Sequence, residues 1–264
     1  MTNQHVIDAF KSCMENLVCD IDFTQVIPDG TRRKFTAKAT VLVVSQPYDF
    51  ALLKVSLPKD LTFSHFNLDK QKAGVDLVTL GYPGDMLDGN ELKLTYSFGK
   101  LVGFHSRAYA TSAYIYPGAS GSPLLNMDNL NVFAILSNSA GNAVPGIGAP
   151  GLARPIQLID AEFGLSDYIS GVKLARVKTL ISAIESATTE AQASMNLTAY
   201  LNEKTYMGLN SLKRLMVAHA VPVVRVAIMK SLEKMKIIIG SNDIENALLE
   251  PNPQISSNVF LKLH

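Results

Sequence analysis

From about residue 20 to about residue 160, apolar residues either alternate with polar ones or gather in short clusters. The runs "KFTAKATVLVVS", "FALLKVSL", "VDLVTLGY", "LKLTYSFGKLVGF", "AYATSAYIY" and "NVFAILSNS" are rich in Val, Leu, Thr and Tyr, which suit a pleated, half-buried surface. Turn signals separate them: Pro28-Asp29-Gly30, Pro83-Gly84-Asp85 and Asp88-Gly89-Asn90. Many short strands at this spacing predict an antiparallel sandwich or barrel.

Past about residue 165 the period changes. In "SGVKLARVKTLISAIESATTEAQASM" the residues Val172, Val177, Leu180, Ile181 and Ile184 fall on one face of a 3.6-period helix. "GLNSLKRLMVAHAV" and "PVVRVAIMKSLEKMKIII" follow, with Pro222 placed as the first residue of a new helix. "SNDIENALLEP" reads as an Asn/Asp-capped helix stopped by Pro251. The chain is thus bipartite, β then helical, with a boundary near "DAEFGLSD". "VPVVRVAIMKSL" and, more weakly, "KLARVKTLISAI" are similar to helices of HEAT-type repeats. Two imperfect copies do not make a solenoid, so a repeat-like interaction module and an ordinary helical bundle both stand. Either could bind a protein partner. Lys213, Arg214, Lys230, Lys234 and Lys236 read as solvated helix faces.

Composition narrows the function classes. A chain of 264 residues is long enough for two or three cores. Its formal net charge of +1 gives no electrostatic case for nucleic acid or an acidic membrane surface. No apolar run approaches the roughly 18–20 residues that span a bilayer, and the amino end carries no signal-peptide pattern. The two cysteines, Cys13 and Cys19, lack companions at metal-ligand spacing and read as two buried or free thiols, compatible with a reducing, cytoplasmic setting. No metal and no cofactor are expected.

The stretch "IYPGASGSPLLN" places Ser120 between glycines and runs straight into a strand. A loop between strands explains it, and so does a nucleophile on a tight turn with backbone N–H groups aimed at an oxyanion. A serine nucleophile needs a base and an orienting group. Of five histidines, His219 sits on an apolar helical face, His264 is terminal, His105 lies at a strand or loop end, and His65 lies in a connector. His5, in "HVIDAF", remains. Asp49, in "QPYDFALLKV", stands at the mouth of an apolar strand, where it either ends a turn or faces an imidazole. Asp8 reads as a surface residue of the same helical turn as His5.

Together these segments resemble the trypsin-like (chymotrypsin-fold) serine proteases of the glutamyl endopeptidase and HtrA-type branch. "TNQHVIDA" is similar to the histidine segment, "YDFALLKV" to the aspartate segment and "PGASGSPLLN" to the nucleophile segment, in the family's order. "LGYPGD" is similar to a turn that opens the second barrel, and "PGLARPI" to the last strand before a C-terminal helix. The resemblance implies a mainly β, double-barrel domain over residues 1–164 and a helical domain over 165–264. Residues 1–70 would form a partial first barrel and 71–164 the second. Only four residues precede His5, so the first barrel is expected to be incomplete, and the chain reads either as an N-terminally shortened form or as one with a mis-assigned start.

The resemblance also implies a catalytic set of His5, Asp49 and Ser120, with the Gly118 and Ser120 amides as oxyanion hole. The substrate backbone would lie along Leu136, Ser137, Asn138 and Ser139. Glutamyl endopeptidases place a histidine where this chain has Leu136, and trypsins an aspartate where it has Tyr114. Leu136, Tyr114 and Gly151 therefore imply a pocket for an apolar or small side chain. The function implied is endopeptidase cleavage of a polypeptide substrate. Two alternatives accompany it: a pseudo-protease acting as an interaction module, and a viral-type polyprotein-processing protease.

Overall fold

A computed structural model of the chain describes residues 1–26, 31–59, 61, 66–84, 87–88, 91–105, 107–139 and 149–235. It divides into two compact units, Met1–Leu165 and Ser166–His264.

The first unit begins with two short helices, α1 (Gln4–Asp8) and α2 (Lys11–Asn16). Leu17 in the left-handed region (φ 54°) turns the chain back into β1 (Val18–Val26). That reversal brings Cys13 and Cys19 to a Cα separation of 4.7 Å, and they are joined by a disulfide. This corrects the expectation of two unpaired thiols: the left-handed turn, which nothing in the Cys spacing betrays, closes the pair.

Strands β1, β2 (Arg32–Ser45) and β3 (Phe50–Val55) form an antiparallel three-stranded sheet with β2 central. Phe23 and Phe35 stack across it, centroids 5.2 Å apart. Thr2 extends the sheet by one bridge, exchanging two backbone hydrogen bonds with Ala51 on β3. This sheet stands where the resemblance implied a partial first barrel.

The remaining strands are β4 (Asp76–Gly81), the small pair β5 (Leu87–Asp88) and β6 (Glu91–Leu92), then β7 (Thr95–His105), β8 (Ala108–Ile115), β9 (Pro123–Asn126), β10 (Val132–Ser139) and β11 (Ala149–Pro155). Six of them close into a barrel in the order β10-β11-β8-β7-β4-β9. Its interior holds Leu77, Leu101, Leu124, Phe133 and Leu136, each 1% exposed or less. Burying each such side chain contributes about 1.5–3 kcal/mol. Helix α3 (Ile156–Phe163) follows β11 and ends at Gly164 in the left-handed region. Its Phe163 meets the rings of Phe50 and Tyr48. A mainly β unit with one closed barrel and a second sheet is the fold class expected of a trypsin-like domain with a reduced first half.

After α4 (Leu165–Ile169), the second unit contains α5 (Val172–Glu185), α6 (Glu190–Asn202), α7 (Leu209–Ala218) and α8 (Pro222–Lys234), with Pro222 in the first turn of α8. One detail departs from the periodic reading of α5: Val172 is exposed and Lys173 is buried. The Lys173 ammonium lies 3.6 Å from a Glu203 carboxylate oxygen and over the Tyr168 ring, and these contacts reward its burial. His219 is buried as expected of a packed histidine. Its Nδ1 accepts from the Val221 amide and its Nε2 meets the Glu185 carbonyl. "SNDIENALLEP", Lys236, His65, His264 and Asp85 lie outside the described residues.

Candidate active site

Asn3 precedes α1 in extended backbone and is buried, and its side-chain amide donates to the Asp49 carbonyl at 2.9 Å. Asp49 itself adopts φ 45°, a left-handed conformation that Asp tolerates better than most side chains. Asn3 and the turn hydrogen bond from the Asp49 amide to the Gln46 carbonyl hold it there. The result places the Asp49 carboxylate against the first turn of α1.

Three kinds of donor converge on that carboxylate. The His5 amide donates to Oδ1 at 3.1 Å, His5 Nδ1 lies 2.9 Å from both oxygens, and the Ser137 hydroxyl donates to Oδ2 at 2.5 Å. Partial burial opposes ionisation of Asp49, yet the Ser137 hydroxyl and the His5 amide and ring together hold its carboxyl below the usual range. An ionised carboxylate only accepts, so His5 Nδ1 carries a proton toward Asp49, and in the neutral ring Nε2 is the acceptor.

Ser120 is carried by a bend between β8 and β9. Gly118 and Gly121 both sit at φ 86°. A Cβ at Gly118 would lie 2.5 Å from the Gly84 nitrogen, and one at Gly121 would lie 2.6 Å from Thr2 Oγ1. The two glycines are thus required twice over, by backbone conformation and by space. The Gly121 amide donates to the Leu136 carbonyl and the Leu136 amide to the Ser122 carbonyl, pinning the bend to β10. The Ser120 hydroxyl donates to the Ser137 carbonyl at 3.2 Å.

His5 and Ser120 face one cavity of about 410 Å³, with Ile115, Tyr116, Pro117, Gly118, Leu136, Ser137 and Asn138. Asp49 lies behind His5. Ser137 occupies a β-bulge, since Leu136 pairs with Ala153 but Asn138 with Leu152. Strand alternation sends Leu136 into the barrel and Ser137 to the other side, toward Asp49. Gly151 is buried beneath the wall, where a Cβ would press on Thr111, Leu136 and Ile115. Ser139 pairs with Gly151 at the end of β10; its side chain lies outside what the structure describes.

Tyr114 is not brought to this cavity. Along β8 it points outward and is exposed, between the buried Ala113 and Ile115. It lines a separate shallow depression with Tyr96 and Ser122. Two contributions escape sequence reading. Ile115, one position on, lines the cavity instead, and strand alternation is the signal that distinguishes the two. The Ser137 hydroxyl's bond to Asp49 joins residues 88 positions apart, a pairing that leaves no mark in the sequence.

Solved structures with similar folds include Deg5, 21% identical over 60% of this chain and 73% of that one, with a TM-score of 0.44. The HtrA-type protease AlgW, solved with a decapeptide, is 19% identical over 64% of this chain and 47% of that one, at TM-score 0.44. The MamO protease domain from Magnetospirillum magneticum is 16% identical over 61% of this chain and 79% of that one, at 0.43. The family model of the trypsin-like peptidase domain matches residues 1–135, about half of the sequence and the part that carries His5, Asp49 and Ser120. The chain belongs to the trypsin-like peptidase family.

Proposed function

We propose that this chain is a serine endopeptidase in which Ser120 is the nucleophile, His5 the general base and Asp49 the group that orients His5. The observation that carries this reading is the hydrogen bond between His5 Nδ1 and Asp49 in a cavity shared by His5 and Ser120. The Ser120 oxygen attacks the peptide carbonyl carbon while His5 Nε2 takes the hydroxyl proton. The C–N bond then breaks and His5 returns that proton to the leaving amine, leaving an acyl-enzyme that water hydrolyses by the same route. Asp49 stays ionised and steadies the imidazolium. The Gly118 and Ser120 amides receive the oxyanion, a contribution of roughly 3 kcal/mol per donor in acyl transfer.

Specificity follows from the walls. Ile115 and Leu136 are apolar, Gly151 packs directly behind them, and no Asp, Glu, Lys or Arg lines the cavity among the described residues. The residue before the scissile bond is therefore apolar or small. The helical region, a separate domain in this reading, engages a protein partner or the substrate.

One observation favours a second reading. The Ser120 hydroxyl gives its proton to the Ser137 carbonyl, an arrangement suited to a pseudo-protease that binds polypeptides without cleaving them. Fluorophosphonate labelling separates the two. Covalent labelling of the parent, its loss in Ser120→Ala, and a roughly million-fold drop in peptide hydrolysis support the enzyme. A folded parent that is neither labelled nor hydrolytic supports the binding module. A cleavage profile dominated by Glu, Lys or Arg before the scissile bond overturns the specificity.

A further inference from the structure

We propose that the outer face of β7 is the surface through which two copies of this chain associate, whether or not Ser120 is reactive. Along its first half the strand is inverted relative to an ordinary barrel strand. Ser97 and Gly99 face inward ahead of the buried Leu101, while Tyr96, Phe98 and Val102 point outward; past a register shift at Leu101/Gly103, Phe104 pairs with Tyr109 and lies on that residue's side. Tyr82 and Leu94 continue the stripe at one end and Tyr114 of β8 lies beside it, all six being 45–63% exposed.

A slipped register does not explain the inversion. A Cβ at Gly99 would lie 2.2 Å from the Ala113 nitrogen, so that position admits no side chain and a one-residue slip that put Phe98 there is barred. β7 is also paired on both sides, to β4 and β8, so a partner cannot add a strand there and must meet the side-chain face.

The area and the charges select a second copy as the occupant. At 150–250 Å² per aromatic side chain and about half of each exposed, the stripe presents roughly 500–600 Å² of apolar surface. That stands at the top of the range for the largest patch of a typical monomer and supplies most of the roughly 800 Å² per partner of a stable interface. Among the described residues of β4 and β7, the charges on this face are Asp76 and Lys100, opposite each other and ion-paired at 2.5 Å. A two-fold axis through the stripe would set Lys100 of each copy against Asp76 of the other, so the face is self-complementary. Because Asp76 neutralises Lys100, an anionic membrane surface is not the match, and a net charge of +1 leaves little repulsion between copies.

The test is sedimentation velocity and equilibrium on the full chain. A dimer mass is expected, with Phe98→Glu raising the dissociation constant at least about tenfold while circular dichroism is unchanged. Lys100→Asp and Asp76→Lys should each weaken the dimer, and their equimolar mixture should restore it. The mixture decides the matter even if Phe98→Glu folds poorly. A monomer at every soluble concentration overturns the proposal, as does a dimer indifferent to these substitutions. A monomer that floats with phosphatidylcholine vesicles overturns it in favour of a lipid surface.

Discussion

At the scale of single residues, the candidate site turns on one carboxylate with several donors. Asp49 has a folded pKa below that of an ordinary carboxyl, because the Ser137 hydroxyl and the His5 amide and ring outweigh the opposing effect of burial. A depressed carboxyl contributes stability that is fully present above its unfolded pKa and is lost as pH falls through the folded one. Ser137→Ala removes part of that contribution. The gap in urea midpoint between parent and variant should therefore be full at neutral pH and close as the pH drops below about 4, toward Asp49's own titration. A gap independent of pH would show that the hydroxyl acts only through packing. His5, Asp49 and Ser120 were legible from their segments, because each type of group is needed once and the segments follow a familiar order. The Ser137 hydroxyl was legible as part of a strand but not as Asp49's partner, since the two lie 88 positions apart. Tyr114 lies one position off the cavity that Ile115 lines: motif alignment gives an address, and alternation along the strand gives the direction.

At the scale of elements, most strands could be read from period and turn residues. "VDLVTLGY" contains β4, "AYATSAYIY" contains β8 and "NVFAILSNS" contains β10. β1 was less legible, because Asp20, Asp22 and Gln25 dilute its apolar residues and it draws its order from β2. β7 offers the sharpest test of element packing, since it carries two glycines in different surroundings. A Cβ at Gly99 collides with the Ala113 backbone, whereas one at Gly103 meets nothing within 4 Å. Gly99→Ala should cost about 1–3 kcal/mol through forced backbone displacement, and Gly103→Ala should stay within about 0.5 kcal/mol of the parent. Urea unfolding of the two variants checks this, and equal midpoints would refute the close β7–β8 approach. In the helical unit, the exchange of Val172 for Lys173 at the buried face shows how an ion pair overrides hydrophobic period. A lysine with Glu203 and an aromatic ring to meet is buried at less cost than its type suggests.

At the scale of the whole chain, composition and charge speak more clearly than topology. The shift from two-fold to 3.6-fold period near residue 165 is visible in the letters. The order of strands around the barrel is not, because β4 and β9, or β8 and β11, find each other across long stretches of sequence. The balance of charge leads to a plain expectation: labelled duplex DNA should show no salt-dependent anisotropy change with this protein. A steep salt slope would place a basic surface where none is expected. The long-range pairing has a further consequence for the moment at which the proposed chemistry begins. Asp49 reaches back 44 positions to His5 and forward 88 positions to Ser137, whose strand is flanked by β11 in the closed barrel. A polypeptide emerging from the ribosome cannot assemble this constellation until Ala149–Pro155 has left the exit tunnel. On the proposed reading, the growing chain lacks its assembled site until that strand emerges, when part of the helical region is still to be made.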